Sequence, residues 1–279
     1  MAERVGTIAG ASTWWEETGP ADAPTLVLVH GFRGDHHGLA RIAALLPEFR
    51  IISPDLPGFG RSGPLPRPHT ITAYADWLIE FVSAVTHGPY TVLGHSFGSI
   101  VVSAALERGL TPERTILVNP IAAPALKGPK AVGSLATLGY YRLAAALPER
   151  AGRALLSAPL IVRVMSIAMV KTKDRELRRW IHEEHDRYFS GFATRDSVLE
   201  GFQASISDDV SNHVRGFTMP TLLVIAAQDQ ITSLGDSLAL AERIPNASPI
   251  VLEGVGHLIH YERAAEAAEA IRAFMMVPA

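Results

Sequence analysis

The sequence contains no cysteine. Disulfides, thiol nucleophiles and Cys-ligated metals are therefore excluded, although this absence does not fix a compartment. An excess of positive charge is missing as well. With 25 basic and 28 acidic side chains the formal net charge is −3, which is no electrostatic footprint for nucleic acid. No run of about 18 apolar residues goes uninterrupted by charge, so no membrane span is expected. The N-terminal stretch MAERVGTIAGAS lacks the basic start and apolar segment of a secretory signal, and the expected location is cytoplasmic. Fixed-period repeats and low-complexity tracts are also absent.

What is present is apolar bulk in a regular rhythm. Of 279 residues, 48% are hydrophobic, which suits a large core and one sizeable α/β domain carrying an insertion. Residues 4–10 and 12–18 read as two short strands. TLVLVHG (25–31) is a continuous apolar run of strand length, the pattern of a strand buried on both faces. Helical spacing follows at 38–46, a second buried strand at 50–58, and helical spacing again at 71–86 through Ile71, Tyr74, Leu78 and Val82. YTVLG (90–94), a helix over 97–108 and TILVNP (115–120) continue the alternation. Such alternation argues for a mainly parallel central sheet with helices on both faces. From 122 to 214 only helical patterns occur, and strands resume at 219–227 and 248–254 before a closing helix near 261–276. The expected organisation is a core of 1–121 and 215–279 with a helical lid, 122–214, inserted over the carboxyl ends of the strands, where open α/β sheets place their sites.

Gly94-His95-Ser96-Phe97-Gly98 stands between a predicted strand and a predicted helix. It reads either as a glycine-rich turn with a solvated serine or as a tight strand-to-helix turn that pushes the Ser96 hydroxyl into the cleft. In the second reading, close packing demands glycine at 94 and 98. A serine hydroxyl needs a base, and the base needs an orienting acid. His257, in a late loop after a strand, is the predicted base, while nearby His260 reads as a half-buried surface histidine. Asp229 ends the run TLLVIAAQD and is the predicted acid; Asp236, near a helix start, is the weaker alternative. Asn119 closes the strand at 115–118 and cannot act as a carboxylate. Two backbone N–H groups, of Phe97 and Phe32, are the predicted oxyanion donors. Gly31 lets that backbone approach closely, and His30 reads as a buried histidine that braces its loop.

Taken together, HGF (30–32), DLPGFGRS (55–62), GHSFGS (94–99), QD (228–229) and GH (256–257) resemble the α/β-hydrolase superfamily, in its lid-bearing branch of esterases, epoxide hydrolases, dehalogenases and carbon–carbon bond hydrolases. The resemblance covers nearly the whole chain, and the order Ser96, Asp229, His257 is that of its triads. It implies the α/β-hydrolase fold and hydrolytic activity. Epoxide hydrolases and haloalkane dehalogenases carry an aspartate where Ser96 stands, which argues against both chemistries despite Tyr140, Tyr141 and Tyr188 in the helical block. Carbon–carbon hydrolases typically place tryptophan after the histidine and methionine after the serine; here Leu258 and Phe97 occupy those positions. The expected activity is thus hydrolysis of a small-to-medium, largely apolar carboxylic ester. Cleavage of a carbon–carbon bond in a vinylogous diketone is the alternative. A ligand-binding protein with a slow or vestigial triad is the alternative from another class.

The remaining features read more plainly. Residues 154–170 form an apolar helical pattern that packs the lid onto the core, with an acyl-pocket wall or lipid contact as the sharper alternative. KTKDRELRRW (171–180) reads as a solvated basic helix face. Asp55 and Arg61 are expected to fix turn geometry. Asp35-His36-His37 has a metal-binding composition but no further ligand at sensible spacing, so neither a metal nor a cofactor is expected. The sequence leaves the oligomeric state open.

Overall fold

A five-residue run such as TLVLV has no polar face to show to water, so it belongs in the interior of a sheet. The computed structural model, which describes residues 1–124 and 131–277, places it there. Among the described residues, eight strands form one sheet: β1 (Ala2–Ile8), β2 (Ala11–Thr18), β3 (Thr25–Val29), β4 (Arg50–Pro54), β5 (Tyr90–His95), β6 (Arg114–Val118), β7 (Thr221–Ala226) and β8 (Ala247–Leu252). Their order is β1-β2-β4-β3-β5-β6-β7-β8. The β1–β2 hairpin and the β2–β4 pair are antiparallel, and every pairing from β4 through β3 to β8 is parallel.

Successive residues of a strand point to opposite faces, and two cores follow from that alternation. Leu26, Leu28, Leu93, Ile116 and Val224 pack on one face against α1 (His37–Ala44) and the closing helix α11 (Ala264–Met276). Val27, Val29, Val92, Leu117 and Leu223 pack on the other against α2 (Ile71–Val85), α3 (Phe97–Glu107) and α9 (Leu234–Arg243). The helix α2 starts where expected because the Thr70 side chain accepts the free N–H of Ala73 at 3.1 Å. A short α10 (Ile259–Glu262) precedes α11.

Between β6 and β7 stand α4 (Ala131–Ala146), α5 (Glu149–Leu156), α6 (Pro159–Met169), α7 (Arg175–Tyr188), α8 (Arg195–Ser207) and a 3-10 turn, Val210–Gly216. Of the expected insertion, residues 125–130 lie outside the described residues, as do 278–279 of the expected core. Among the described residues, the insertion touches the loops that follow β3, β4 and β7 and the helix α10 that follows β8. Arg33 reaches Leu156 and Phe189, Gly60 N–H donates to Gly191 O at 2.8 Å, Gln230 Nε2 to Met169 O at 3.1 Å, and Lys171 N–H to Glu262 Oε1 at 2.7 Å.

Two local expectations are corrected. The run 154–170 is not one helix: Ala158 is extended ahead of Pro159, as the residue before a proline prefers, and splits it into α5 and α6. The stretch Glu149–Met169 has the length and mean hydropathy, 1.4, of a membrane span, yet folds as two helices. Nor does α6 pack wholly inward. Val162 and Ser166 are buried, while Leu160, Val164 and Ile167 form an exposed stripe. Likewise the basic run at 171–180 becomes helical only at Arg175, where Asp174 caps α7 by accepting from Glu176 and Leu177 N–H.

His213 ties the end of the insertion to the core through Nδ1–Glu107 Oε2 at 2.6 Å and Nε2–Asp208 Oδ2 at 2.9 Å. The hydrogen bond to Asp208 and, against opposing burial, the bond to Glu107 raise its pKa above 6.5. A raised folded pKa gives stability that is fully present below the unfolded value and lost as pH rises through the folded one. His213→Gln should therefore lower Tm more at pH 6 than at pH 9 in thermal scans. An equal or larger gap at pH 9 would refute this.

Candidate active site

One residue separates β5 from α3, and that residue is Ser96. Reversing from strand to helix in so short a space forces φ +53° and ψ −119° on a non-glycine residue, a conformation that costs on the order of 1–3 kcal/mol. Its surroundings hold it there. Ser96 N–H donates to Val118 O at 3.1 Å, and Ser96 O accepts from Ser99 N–H at 2.8 Å and Ser99 Oγ at 2.5 Å. The flanking glycines are steric necessities. A Cβ on Gly98 would stand 2.2 Å from Val29 O, and one on Gly94 would stand 2.6 Å from Gly98 O. The strained turn, rather than the solvated glycine loop, is the observed state.

His257 enters from the loop after β8. Its Nε2 lies 2.8 Å from Ser96 Oγ and its Nδ1 lies 2.8 Å from Asp229 Oδ2. A carboxylate can only accept, so Nδ1 carries the proton and Nε2 presents its lone pair to the serine hydroxyl. Asp229, just beyond β7, also accepts from Ile231 N–H at 2.7 Å and Thr232 N–H at 3.3 Å. Burial alone pushes its pKa up; the His257 charge and hydrogen bond together with those two N–H donors outweigh burial and leave it lowered. The fold thus brings Ser96, His257 and Asp229 together. Asp236 is exposed, and its carboxylate accepts from the Ser233 hydroxyl at the start of α9.

The expected anion donors flank this serine. Phe97 N–H belongs to the first residue of a helix and has no intrahelical acceptor. Neither it nor Phe32 N–H donates to another described residue. The Phe32 loop presses close, since a Cβ on Gly31 would stand 3.3 Å from Ser96 Cβ. His30 braces that loop as expected: Nε2 accepts from Leu56 N–H at 2.8 Å, leaving Nδ1–H for Gly31 O at 2.8 Å. Burial holds it neutral by lowering its pKa. Asp55 fixes the next loop, accepting from His36 and Arg61 N–H at 2.8 Å each.

Phe32 also anchors an aromatic wall. Its ring lies 5.8 Å from Phe59, 6.1 Å from Phe97 and from Tyr141, and 6.2 Å from Phe202. Tyr141 stacks on Phe202 at 3.8 Å. Tyr140 bonds to the carbonyls of Leu155 and Leu156, and Tyr188 stacks on His37.

Several supporting residues escaped the sequence reading. Asn119, set aside as unable to act as an acid, donates from Nδ2 to Asp229 Oδ2 at 2.9 Å. Its φ of +47° suits asparagine better than most residues. Gln230 accepts His257 N–H at 3.1 Å. His260 is not half-buried but 5% exposed, with its ring 4.1 Å from His95. Burial and the neighbouring His257 push His95 down to about 3, so this second imidazole beside His257 stays neutral. Arg33 is buried at 1% exposure and donates to Leu156 O at 2.5 Å, Phe189 O at 3.3 Å and Tyr141 Oη at 3.5 Å. Leu156 ends α5 and Phe189 caps α7, so the cation sits at the negative ends of two helices. A polar residue after His-Gly-Phe was the only signal for it.

Comparison with known proteins adds to this geometry. The family model described as "Alpha/beta hydrolase family" matches residues 26–270. The RutD protein of Agrobacterium fabrum, named as a carbamate hydrolase, is 26% identical over 244 residues, covering 86% of this chain and 88% of that protein. Among solved structures, a thermophilic esterase from Thermogutta terrifontis is 24% identical with TM-score 0.79, covering 99% of this chain and 98% of that one. The enol-lactonase from Burkholderia xenovorans LB400 is 19% identical with TM-score 0.80, covering 98% of this chain and 100% of the other. At these identities the two structures speak to the fold alone.

Replacing Asn119 by aspartate keeps its shape but sets a carboxylate against Asp229. Phosphonylation of Ser96 by a fluorophosphonate should slow about tenfold or more, the equivalent of about 1.4 kcal/mol; an unchanged rate would refute the positioning role. Arg33→Met strips a donor from two helix ends. Hydrogen bonds to a charged group are worth about 1.5–3 kcal/mol each, so Tm should fall by about 5 °C. Limited proteolysis within the insertion should quicken as well.

Proposed function

The chain belongs to the alpha/beta hydrolase family, and from that premise we propose that it is a serine carboxylesterase acting on a small-to-medium, largely apolar ester. The observation that carries this reading is the unbroken hydrogen-bond path from Ser96 Oγ through His257 to Asp229, with both links at 2.8 Å. Ser96 attacks the ester carbonyl while His257 Nε2 takes its proton. Asp229 holds the imidazole in the required tautomer and stabilises its cation. The tetrahedral oxyanion draws on the Phe97 and Phe32 N–H groups. His257 then protonates the leaving alcohol, activates a water against the acyl-enzyme, and returns the proton to Ser96 as the acid departs.

The aromatic wall around Phe32 supports an apolar acyl group, and the contacts of α4, α5 and α7 with Arg33 support a lid role for the insertion. A carbamate presents the same trigonal carbon to the same nucleophile, and the resemblance to RutD makes it the second reading.

A fluorophosphonate should label Ser96 at neutral pH and fail on Ser96→Ala. Hydrolysis of short p-nitrophenyl esters should fall by about a thousandfold or more in His257→Ala. Absence of labelling would overturn the nucleophile. Labelling without ester turnover would favour the carbamate or the ligand-binding alternative, and faster cleavage of a vinylogous diketone than of any ester would reverse the assignment.

A further inference from the structure

Three large apolar side chains of α6 stand in solvent: Leu160 is 76% exposed, Val164 58% and Ile167 59%. Steps of four and three residues put them on one face of the helix, with exposed Ala168 beside them. Scattered apolar residues on a surface are ordinary, whereas a contiguous apolar face marks a contact surface. The other face of α6 is already satisfied. Val162 and Ser166 are buried, and Ser166 Oγ meets His182 Nδ1 at 2.6 Å and His185 Nδ1 at 2.7 Å.

One end of the stripe is strongly charged. Arg163 on α6 pairs with Asp186 late in α7, and Ser166 reaches His182 and His185, so the two helices run antiparallel. The link between them therefore lies at the C-terminal end of the stripe. That link and the first turns of α7 carry Lys171, Lys173, Arg175, Arg178 and Arg179, all exposed, against only Asp174 and Glu176. Asp174 is engaged in accepting the Glu176 and Leu177 N–H groups. None of the five cations meets a carboxylate among the described residues. This local excess stands in a chain whose net charge is −3.

An exposed apolar helix face with cations at its end is complementary to a bilayer surface. Apolar side chains enter the boundary between headgroups and acyl chains, while ammonium and guanidinium groups meet anionic headgroups. A second copy of the chain fits less well, because a stable protein interface takes about 20 residues a side and the stripe offers three large apolar ones. We propose that α6 docks flat on a membrane rich in anionic phospholipid, with Leu160, Val164 and Ile167 in the lipid boundary and the five cations on the headgroups. The helix lies on the bilayer and does not cross it, since its 11 residues fall short of the about 20 that a span needs. Met169 O, at the end of α6, accepts from Gln230 Nε2, and Gln230 Oε1 accepts His257 N–H. The docked helix is thus joined to the His257 backbone through one side chain.

The full chain should co-sediment with vesicles of equal parts phosphatidylglycerol and phosphatidylcholine. Binding should be about tenfold weaker or less to phosphatidylcholine alone, or in about 0.5 M salt. Val164→Asp should weaken it about tenfold or more. So should Lys171→Glu combined with Lys173→Glu, since each basic residue near an anionic surface is worth about fivefold. The added tryptophan of Ile167→Trp should shift its emission to the blue on the anionic vesicles. Val164 and Ile167 are exposed, so neither variant removes a core contact. Binding is read without substrate, so its failure is distinct from failure of the ester reading. Absence of sedimentation with anionic vesicles, equal binding by Val164→Asp, or self-association that Val164→Asp abolishes in place of vesicle binding would overturn the proposal.

Discussion

A strand that must become a helix within one residue imposes its terms on everything nearby. Ser96 tolerates its positive φ only because Val118 O, Ser99 N–H and the Ser99 hydroxyl grip its backbone on both sides. The turn also drives the first residues of α3 against β3, so tightly that position 98 has no room for a methyl group. The strain and the crowding therefore have one source, and both point the hydroxyl outward at the start of a helix. Everything placed around it later in the chain, from Asp229 to His257, is positioned relative to that fixed point.

Buried contacts join the insertion to this centre. A charge taken out of water must find compensation, and Arg33 finds it in two helix-end carbonyls and a phenol rather than in a carboxylate. Because Arg33 directly follows Phe32, the arrangement of α5 and α7 is transmitted to the backbone beside Ser96. Gln230 makes a comparable link on the other side, with one amide oxygen on His257 N–H and its nitrogen on Met169 O at the end of α6.

How much of this was legible in the sequence depends on the range of the interaction. Strands buried on both faces announce themselves by unbroken apolar runs, and β3, β5, β6 and β7 appear within a few residues of their expected places. Ser96, Asp229 and His257 could be nominated because each follows a strand end, a local signal. Asn119 could not, since its role depends on which strands are neighbours: β6 pairs with β7, which sets Asn119 beside Asp229. The burial of His260 was hidden for the same reason, because it includes a ring contact with His95, far away in the sequence. The α5–α6 break was written in the Ala158-Pro159 pair but masked by continuous hydrophobicity. Glu184 approaches Asp35 across about 150 positions of chain, a distance no spacing rule covers.

Ser99 carries a further implication. Its hydroxyl donates to the Ser96 carbonyl and accepts from Ile121 N–H at 3.1 Å, just where the chain leaves the sheet for the insertion. One small side chain thus splices the root of the insertion to the backbone of the Ser96 turn. The splice at position 99 therefore calls for a residue that both gives and takes a hydrogen bond in a space of serine's size.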